Sequence, residues 1–257
     1  MTDISVIIVA QDAADTIEAA CASVRWAAEV IVVDSGSTDG TVALAEAAGA
    51  RVVHEPWRGY TGQKQFAAEL CRHDWVLIVD SDEEVTDELA AEIAGLFAGD
   101  GAGLAGVDVC DMPRRNFVLG RHVRAWDPDR QARLFHRGRA VWGEDALHDT
   151  MRASADGRLV RLRGALLHKR CSGAGFEDYF SGRRMDERLM LVARELHGKG
   201  RRAGWWDVAF RPPLAFLKFY VAKGGWRDGV FGLLMAQKAW VSVQLKYAAL
   251  WSLGRER

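Results

Sequence analysis

Apolar runs alternate with amphipathic segments over the first hundred residues of the chain. Buried strands are predicted by the continuous apolar stretches at 4–10, 29–34, 51–55 and 75–80. Helices are predicted by apolar residues at helical spacing over 15–27, 41–50, 62–73 and from about Thr86. Strands that are apolar throughout and are each followed by a helix are typical of a parallel sheet covered on both faces. The pattern therefore predicts an α/β fold with ligands at the carboxyl ends of its strands.

The pattern changes at Gly101, after which shorter strands with polar turns are predicted. A long helix is expected over about 176–197. The tail from Trp205 to Trp251 holds five of the ten tryptophans, interleaved with lysines and arginines. Because the chain has no run of about 18 apolar residues, we expect no membrane-spanning helix. The apolar run near the N-terminus has no basic leader and is too short for a signal peptide.

Charge is distributed unevenly along the chain. The 257 residues are 49% hydrophobic and 27% charged, as in a soluble globular protein. Residues 1–100 hold 19 acidic and 5 basic side chains, whereas residues 101–257 hold 16 acidic and 29 basic ones. The basic half suggests a phosphate-rich partner, which could be a sugar nucleotide, nucleic acid or an anionic membrane. The four cysteines form no CxxC pair, which favours a reducing cytoplasm over a zinc ribbon or disulfide scaffold.

Four carboxylates follow the predicted strand WVLIVD within five positions. Asp80 and Asp82 flank Ser81, so in an extended turn both carboxylates can face a cleft at the strand end. Two close carboxylates repel each other, and a divalent cation that joins them to another anion, such as a nucleotide diphosphate, relieves the repulsion. The alternative is that all four carboxylates only begin a helix. We expect that simpler role for Glu83 and Glu84.

A second polar loop, DSGSTDG, follows the strand that ends at Asp34. Ser35, Gly36 and Ser37 predict a tight turn into a helix whose N-cap is Asp39. A turn of this kind needs no function by itself. However, it is predicted at the same edge of the sheet as Asp80, where ligands bind in parallel α/β folds.

Three segments together carry a family resemblance: SVIIVAQDA, VIVVDSGSTDGTVALAEAAGARV and GQKQFAAELCRHDWVLIVDSDEEVTDEL. A first strand with a short polar turn, a D-x-G-S-x-D loop and a D-x-D motif, in this order, resemble the donor half of a family 2 glycosyltransferase of the GT-A fold. AWDPDRQARLFHRG, LLHKR and the aromatic tail resemble the subgroup that builds the inner core of lipopolysaccharide. Within that subgroup the chain is similar to β-1,4-glucosyltransferases that act on core heptose.

The resemblance implies a mostly parallel central sheet flanked by helices, with an amphipathic helical C-terminal extension. Residues 1–100 would form the nucleotide-sugar half, residues 101–197 the acceptor half, and residues 198–257 the C-terminal helical region. It also implies a UDP-sugar donor, with UDP-glucose as the expected one, and Mg²⁺ or Mn²⁺. The acceptor would be a lipid-linked saccharide.

The resemblance also assigns roles to individual residues. Asp34 would contact the uracil ring, with the turn from Ala10 to Asp12 against the nucleoside; Gln11-Asp12 departs there from the family's frequent Asn-Glu. Asp80 would face the ribose or the metal, Asp82 would be the main metal ligand, and His168 a further one. The other candidates for contact with the donor are Gly36, Lys64, Ser81, Arg130 and Arg133. For the two arginines, an anionic acceptor and surface ion pairing are the alternatives.

Inversion at the anomeric carbon needs a general base that removes the proton of the acceptor hydroxyl. The stretch WGEDALHDT supplies the candidates. Family 2 members often place the base in a Glu-Asp pair, which favours Asp145. The core-type relatives show a downstream His-Glu pair, matched here by His148 and Asp149, which keeps Asp149 and Glu144 as candidates.

The aromatic and basic tail suggests helices that lie in a membrane interface without crossing it. The alternative is that the same apolar stripe packs on the catalytic domain or on a second copy in a homo-oligomer. We expect a cytoplasmic protein that is peripheral on the cytoplasmic face of the anionic inner membrane. Nucleic acid is not expected as a partner, because no binding motif accompanies the scattered basic residues.

Other functions fit the sequence less well. A haloacid dehalogenase-like phosphatase also places D-x-D after an apolar strand, but its motif usually continues to Thr, where this chain has Glu84. A phosphatase of that class also leaves the DSGSTDG loop without a function. A non-catalytic membrane adaptor is disfavoured by the intact Asp34, Asp80 and Asp82. A transferase for another cell-envelope polysaccharide is the nearest alternative.

Overall fold

The structure is a computed structural model that describes residues 2–98, 102–143, 151–170 and 183–255. The chain divides into two compact units. The first comprises Met1–Gly120 with Pro128–Gly173, and the second comprises Arg121–Asp127 with Ala174–Arg257.

Most strands after Gly101 are short, as the sequence predicts, but the strand Val107–Val118 is an exception with 12 residues. In chain order the strands of the described residues are β1 (Thr2–Ala10), β2 (Ala27–Asp34), β3 (Arg51–His54), β4 (Trp75–Asp80), β5 (Glu83–Val85), β6 (Val107–Val118), β7 (Arg121–His122), β8 (Arg130–His136), β9 (Val141–Trp142), β10 (Met151–Arg152), β11 (Arg158–Arg161) and β12 (Leu166–Arg170). The helices of the first unit are α1 (Ile17–Ala22), α2 (Thr41–Ala47), α3 (Tyr60–Glu69) and α4 (Asp87–Phe97).

The central sheet has the strand order β3-β2-β1-β4-β8-β6-β12-β5. The pairs β3–β2, β2–β1, β1–β4 and β6–β12 are parallel, whereas β8 is antiparallel to both β4 and β6, and β5 to β12. The sheet is therefore mixed and mostly parallel in its first half, with helices on its faces. The α/β fold class predicted from the sequence is confirmed.

Apolar side chains on both faces of the sheet are buried, which explains why the strands are apolar throughout. Along β1, Val6 and Ile8 join one core cluster with Ile17 of α1, whereas Ile7 joins the other cluster with Ala67 of α3. All five are at most 1% exposed. Burying a side chain such as isoleucine stabilises the fold by about 1.5–3 kcal/mol. The first strand is thus held from both faces.

Strand register brings the predicted site residues to one region of the sheet. Ala10 pairs with Asp34 across β1 and β2, and Val9 pairs with Asp80 across β1 and β4. On the other half of the sheet, His168 of β12 lies in register with both Glu83 of β5 and Asn116 of β6. The loops after β2 and β4 therefore share one edge, as parallel α/β topology requires.

Several predicted boundaries are wrong. Glu83 and Glu84 do not begin a helix, because they form β5 against β12. Helix α4 begins only at Asp87, where Thr86 Oγ1 accepts a hydrogen bond from Leu89 N at 3.2 Å. Asp39 is not the N-cap of α2, because Gly40 holds that position. Helix α1 ends at Ala22, well before 27, because the chain turns there into β2.

Apart from the short strand β7, the second unit is mainly helical in its described residues. It contains α5 (Arg183–Gly198), α6 (Trp205–Leu217) with a π-helical continuation at Lys218–Ala222, and α7 (Gly229–Leu253). The predicted helix over 176–197 agrees with α5 within the residues that are described. None of the helices within these described ranges is long and apolar enough to cross a membrane.

Gly164 provides a test of the packing between α4 and the segment before β12. A Cβ atom at Gly164 would lie 2.3 Å from Leu89 Cα and 2.5 Å from Leu89 N, so backbone atoms would have to move. We expect Gly164→Ala to lower the free energy of unfolding by about 1–3 kcal/mol. Urea denaturation measures it.

Gly95 in α4 supplies the matched control, because a Cβ atom there meets nothing within 4 Å. Gly95→Ala should raise the free energy of unfolding by up to about 1 kcal/mol, since alanine favours the helix more than glycine does. Equal stability of Gly164→Ala and the wild-type protein would contradict the close approach of this segment to α4.

Candidate active site

Asp34 organises the loop that follows β2. Its Oδ2 accepts hydrogen bonds from Gly36 N at 2.9 Å and from Ser37 N at 3.0 Å, and its Oδ1 accepts one from the Ser37 hydroxyl. Gly36 has φ +97°, a conformation that favours glycine. Burial raises the pKa of Asp34, but the hydrogen bonds from Ser37, Gly36 and His54 outweigh burial and hold that pKa below its usual range. The carboxylate is therefore ionised and held in place.

The turn after β1 is joined to this loop. Asp12 N donates to Ser37 Oγ at 2.9 Å, and Asp12 Oδ1 accepts from Thr38 N at 2.8 Å. Ser35 N donates to the carbonyl oxygen of Ala10 at 3.0 Å. The structure thus brings together Ala10, Asp12, Asp34 and Gly36, the residues predicted to contact the nucleoside.

Gln63, which the sequence analysis did not single out, braces the same loop. Its side chain is fully buried at the start of α3. Nε2 donates to Ser35 Oγ at 3.1 Å and to the Glu55 carbonyl at 2.9 Å, while Oε1 accepts from Arg58 N at 3.1 Å. A glutamine on an amphipathic helix gives no sequence signal of this role, because its partners lie up to 28 positions away.

Asp80 is held by two buried cations. Lys64 Nζ lies 2.6 Å from Asp80 Oδ1, and Arg133 Nη2 contacts Oδ2; the two basic side chains are 7% and 3% exposed. Burial raises the pKa of Asp80, but the charges of Arg133 and Lys64 outweigh burial and hold that pKa far below its usual range. Asp80 is therefore a carboxylate whose charge is already compensated inside the protein.

Glu83 is a fully buried carboxylate at the centre of an ionic network. Its Oε1 lies 3.2 Å from Arg133 Nη2 and 3.3 Å from Arg114 Nη1, and its Oε2 accepts a hydrogen bond from Asp80 N at 3.0 Å. This internal pairing explains why Glu83 lies in a strand and does not face solvent at a helix N-terminus. Glu84, next to it, forms a partly exposed ion pair with Lys169.

Asp82 faces a histidine across the sheet. Asp82 Oδ2 lies 3.2 Å from His168 Nε2, and the Asp82 side chain is 36% exposed. The other ring nitrogen, His168 Nδ1, lies 2.7 Å from Asn116 Oδ1. Of the three candidate metal ligands, Asp80, Asp82 and His168, the last two are therefore neighbours, although 86 positions separate them in the sequence.

The side chains of Asp82 and His168 are a suitable pair of ligands for a divalent cation. A carboxylate oxygen and an imidazole nitrogen are ligands that Mn²⁺ accepts, and the exposed side of Asp82 leaves room for water or a phosphate oxygen. Within residues 2–98, 102–143, 151–170 and 183–255, no group of three or more His, Cys, Asp or Glu side chains could hold a metal ion.

The remaining candidates from the sequence are Ser81, Arg130 and the possible general bases. Ser81 lies in the turn between β4 and β5. Arg130 is engaged by Asp111 Oδ1 at 2.8 Å and by the Leu162 carbonyl at 2.8 Å, so its guanidinium already has structural partners. The base candidates Glu144, Asp145 and Asp149, together with His148, lie outside the described residues.

Glu83 and Glu84 allow a paired test of the ionic network. Glu83→Ala leaves two arginines without their buried anion, so we expect the free energy of unfolding to fall by about 3–5 kcal/mol. Glu84→Ala removes only a partly exposed pair and should cost at most about 1 kcal/mol. Thermal and urea unfolding measure both. Similar losses in the two variants would contradict a special role of Glu83.

Comparison with known proteins adds independent information. Residues 5–155 match the family model "Glycosyl transferase family 2". The chain is 32% identical over 248 residues to "Lipopolysaccharide core biosynthesis glycosyltransferase LpsC" of Rhizobium meliloti (strain 1021), covering 89% of this chain and 84% of that protein. It is 53% identical over 96 residues to an "Uncharacterized glycosyltransferase" of Rickettsia bellii (strain RML369-C), covering 37% of this chain and 33% of that protein.

Among solved structures, the chain resembles glucosyl-3-phosphoglycerate synthase from Mycobacterium tuberculosis in complex with Mn²⁺, uridine-diphosphate-glucose and phosphoglyceric acid. The two are 29% identical, with a TM-score of 0.37 and coverage of 44% of each chain. The family match includes the loop at Asp34 and the motif at Asp80 and Asp82. With this match over more than half of its length, and with a relative that it matches nearly end to end, the chain belongs to glycosyl transferase family 2.

Proposed function

We propose that this chain is an inverting glycosyltransferase that moves glucose from UDP-glucose onto a heptose of the lipopolysaccharide inner core, or onto a related glycolipid. The observation that carries the chemistry is the pairing of Asp82 with His168 beside the ionised Asp80. The acceptor class is supported by the 32% identity to a lipopolysaccharide core glycosyltransferase over 89% of this chain. A family 2 transferase for another cell-envelope polysaccharide is the alternative.

Asp82 and His168 would hold a divalent cation, Mg²⁺ or Mn²⁺. When bound, the cation would neutralise the diphosphate and stabilise the UDP leaving group. Asp80 is better suited to accept a hydrogen bond from a ribose hydroxyl, because Lys64 and Arg133 already compensate its charge. The two aspartates of one motif would thus have different tasks.

The nucleoside would lie against the loops at Ala10–Asp12 and Asp34–Ser37, which hydrogen bonds hold together. A rigid loop keeps the donor oriented, so that less conformational entropy is lost in the reaction. One carboxylate of Asp145, Glu144 and Asp149 would act as general base on the acceptor hydroxyl. We assign the nucleotide-sugar half to residues 1–100, the acceptor half to 101–197 and the C-terminal region to 198–257.

The second unit would contact the anionic cytoplasmic face of the inner membrane. Its exposed apolar side chains recur every three or four positions along α6 and its continuation, at Trp206, Phe210, Leu214, Leu217 and Val221. Monomeric soluble proteins seldom expose so many large apolar side chains together.

Charge favours a lipid surface over a second protein copy as the partner. Residues 198–257 contain 11 basic and 3 acidic side chains. Of the acidic ones, Asp207 is paired with Arg211. Aromatic side chains with a surplus of basic ones suit an anionic bilayer interface. The opposing surface of an identical copy would carry the same positive charge.

The cation proposal predicts a specific loss in Asp82→Asn. We expect wild-type protein to release UDP from UDP-glucose only with Mg²⁺ or Mn²⁺, and Asp82→Asn to lower kcat/KM by about 10²-fold or more. Binding of UDP without metal should change little. Glu84→Gln, which removes the neighbouring charge, is the control and should keep wild-type activity.

Released UDP measured across a panel of UDP- and GDP-sugars tests the donor at the same time. Full activity of Asp82→Asn would contradict the metal role of Asp82. If none of the UDP-sugars is bound or hydrolysed, the proposed function is wrong.

The membrane proposal predicts a loss of vesicle binding when the aromatic cluster at the start of α6 is removed. Trp205, Trp206 and Phe210 are 61%, 59% and 48% exposed. Their combined replacement by Ala should weaken binding to phosphatidylglycerol-containing vesicles at least about tenfold, because each buried aromatic ring contributes about 1.5–3 kcal/mol. Vesicle co-sedimentation measures the change.

The matched control is the pair Val141→Ala and Leu159→Ala, which removes exposed apolar side chains of the first unit. Vesicle binding of this control should equal that of the wild type. If the aromatic variant also binds like the wild type, the membrane proposal is wrong. If the wild type is a dimer and the variant a monomer, with no vesicle binding in either, the surface is an interface between copies.

A further inference from the structure

We propose that Asn116 and Asp129 are positioning residues that fix the tautomer of His168, so that its Nε2 presents a lone pair toward the cation held with Asp82. This inference rests on the proposed function, because the cation belongs to that proposal. It assigns a task to two polar side chains that the sequence analysis did not single out.

The orientation of the Asn116 amide follows from its partner Asp129. Asn116 is 3% exposed, and its Nδ2 lies 2.9 Å from Asp129 Oδ2. An ionised carboxylate only accepts hydrogen bonds, so the amide group that faces it must be the NH₂. Asn116 Oδ1 therefore points the other way, toward His168 Nδ1 at 2.7 Å.

The tautomer of His168 follows from the orientation of Asn116. Because Oδ1 of an amide only accepts, His168 Nδ1 must carry the proton in this contact. The neutral ring then has its lone pair on Nε2, which lies 3.2 Å from Asp82 Oδ2. Two acceptor atoms face each other there, and a cation between them satisfies both.

The opposite tautomer is disfavoured by burial. With the proton on Nε2, His168 would donate to Asp82, but Nδ1 and Asn116 Oδ1 would face each other without a proton at 2.7 Å. His168 is 6% exposed, so water does not easily replace the lost bond. A buried acceptor without a donor costs about 1–3 kcal/mol. The network therefore selects the tautomer that binds metal.

Asp129 is itself held as an ionised acceptor. Arg114 Nε lies 2.8 Å from Asp129 Oδ2, and Gln131 Nε2 lies 2.7 Å from Oδ1. Burial raises the pKa of Asp129, but the hydrogen bond from Asn116 and the charge of Arg114 outweigh burial and lower that pKa. Parallel pairing of β6 with β12 places Asn116 in register with His168. Hydrogen-bond partners of this kind orient metal-binding histidines.

The test uses two substitutions of similar size and one control. Asn116→Leu removes the acceptor for Nδ1–H, and Asp129→Asn leaves the Asn116 amide free to turn over. Asp111→Asn is the control, because Asp111 of β6 is paired with Arg130 of β8 but does not contact Asn116, Asp129 or His168. Asp111→Asn removes an ion pair with an arginine, as Asp129→Asn does.

The first readout is the tautomer of His168 in the metal-free protein, by ¹⁵N NMR of the histidine side chains at alkaline pH. His168→Gln assigns the signal. We expect the Nδ1–H tautomer in the wild type and in Asp111→Asn, the Nε2–H tautomer in Asn116→Leu, and a mixture in Asp129→Asn. The Nε2–H tautomer in the wild type, or an unchanged tautomer in Asn116→Leu, would overturn the proposal.

The second readout is the affinity for Mn²⁺ with saturating UDP, measured by electron paramagnetic resonance. Asn116→Leu should weaken Mn²⁺ binding about 10- to 100-fold, while metal-free UDP binding changes by less than about twofold. Wild-type Mn²⁺ affinity in Asn116→Leu would refute the positioning role. If the wild type binds UDP but no Mn²⁺, the metal part of the proposed function is wrong. The NMR result alone then decides whether Asn116 and Asp129 fix the tautomer of His168.

Discussion

The candidate site depends on the ion pairs that the buried Glu83 carboxylate forms with Arg114 and Arg133. The same carboxylate also accepts a hydrogen bond from the backbone N–H of Asp80, and each of the two arginines pairs with a second carboxylate of the site. Through Arg133 the network reaches Asp80, and through Arg114 it reaches Asp129. Hydrogen bonds in such water-poor networks strengthen one another, so the network holds the turn between β4 and β5 in one arrangement.

The same network gives different environments to the two aspartates of the D-x-D motif. Asp80 has its charge compensated by cations of the protein, whereas Asp82 faces His168 and solvent. A cation would therefore interact more favourably with Asp82 than with Asp80. Sequence spacing alone treats the two carboxylates as equivalent; their difference comes from partners on α3, β8 and β12.

Local signals in the sequence predict strands β1 to β4, the loop at Asp34 and the D-x-D motif. They do not predict the roles of Gln63, Asn116 or Asp129, because these side chains act on partners that only the sheet register brings close. The position of Glu83 is also not predictable from local sequence. An acidic residue shortly before a helix resembles a residue of the first helical turn, and only the fold shows that Glu83 is paired with Arg114 and Arg133. The second half of the sheet, with its antiparallel strands, carries most of these long-range contacts.

The second unit carries the features on which the proposed acceptor rests. Its exposed aromatic rings and its surplus of basic side chains support the proposed lipid-linked acceptor. The loops proposed to hold the donor and the Asp82–His168 pair lie in the first unit.

The most direct measurement of the central claim is a crystal structure with UDP and Mn²⁺, in which anomalous scattering locates the metal. We expect a peak bonded to an Asp82 carboxylate oxygen and to His168 Nε2, with Asp80 still paired with Lys64 and Arg133. A peak bonded to Asp80 but not to His168, or bound UDP without a peak, would contradict it.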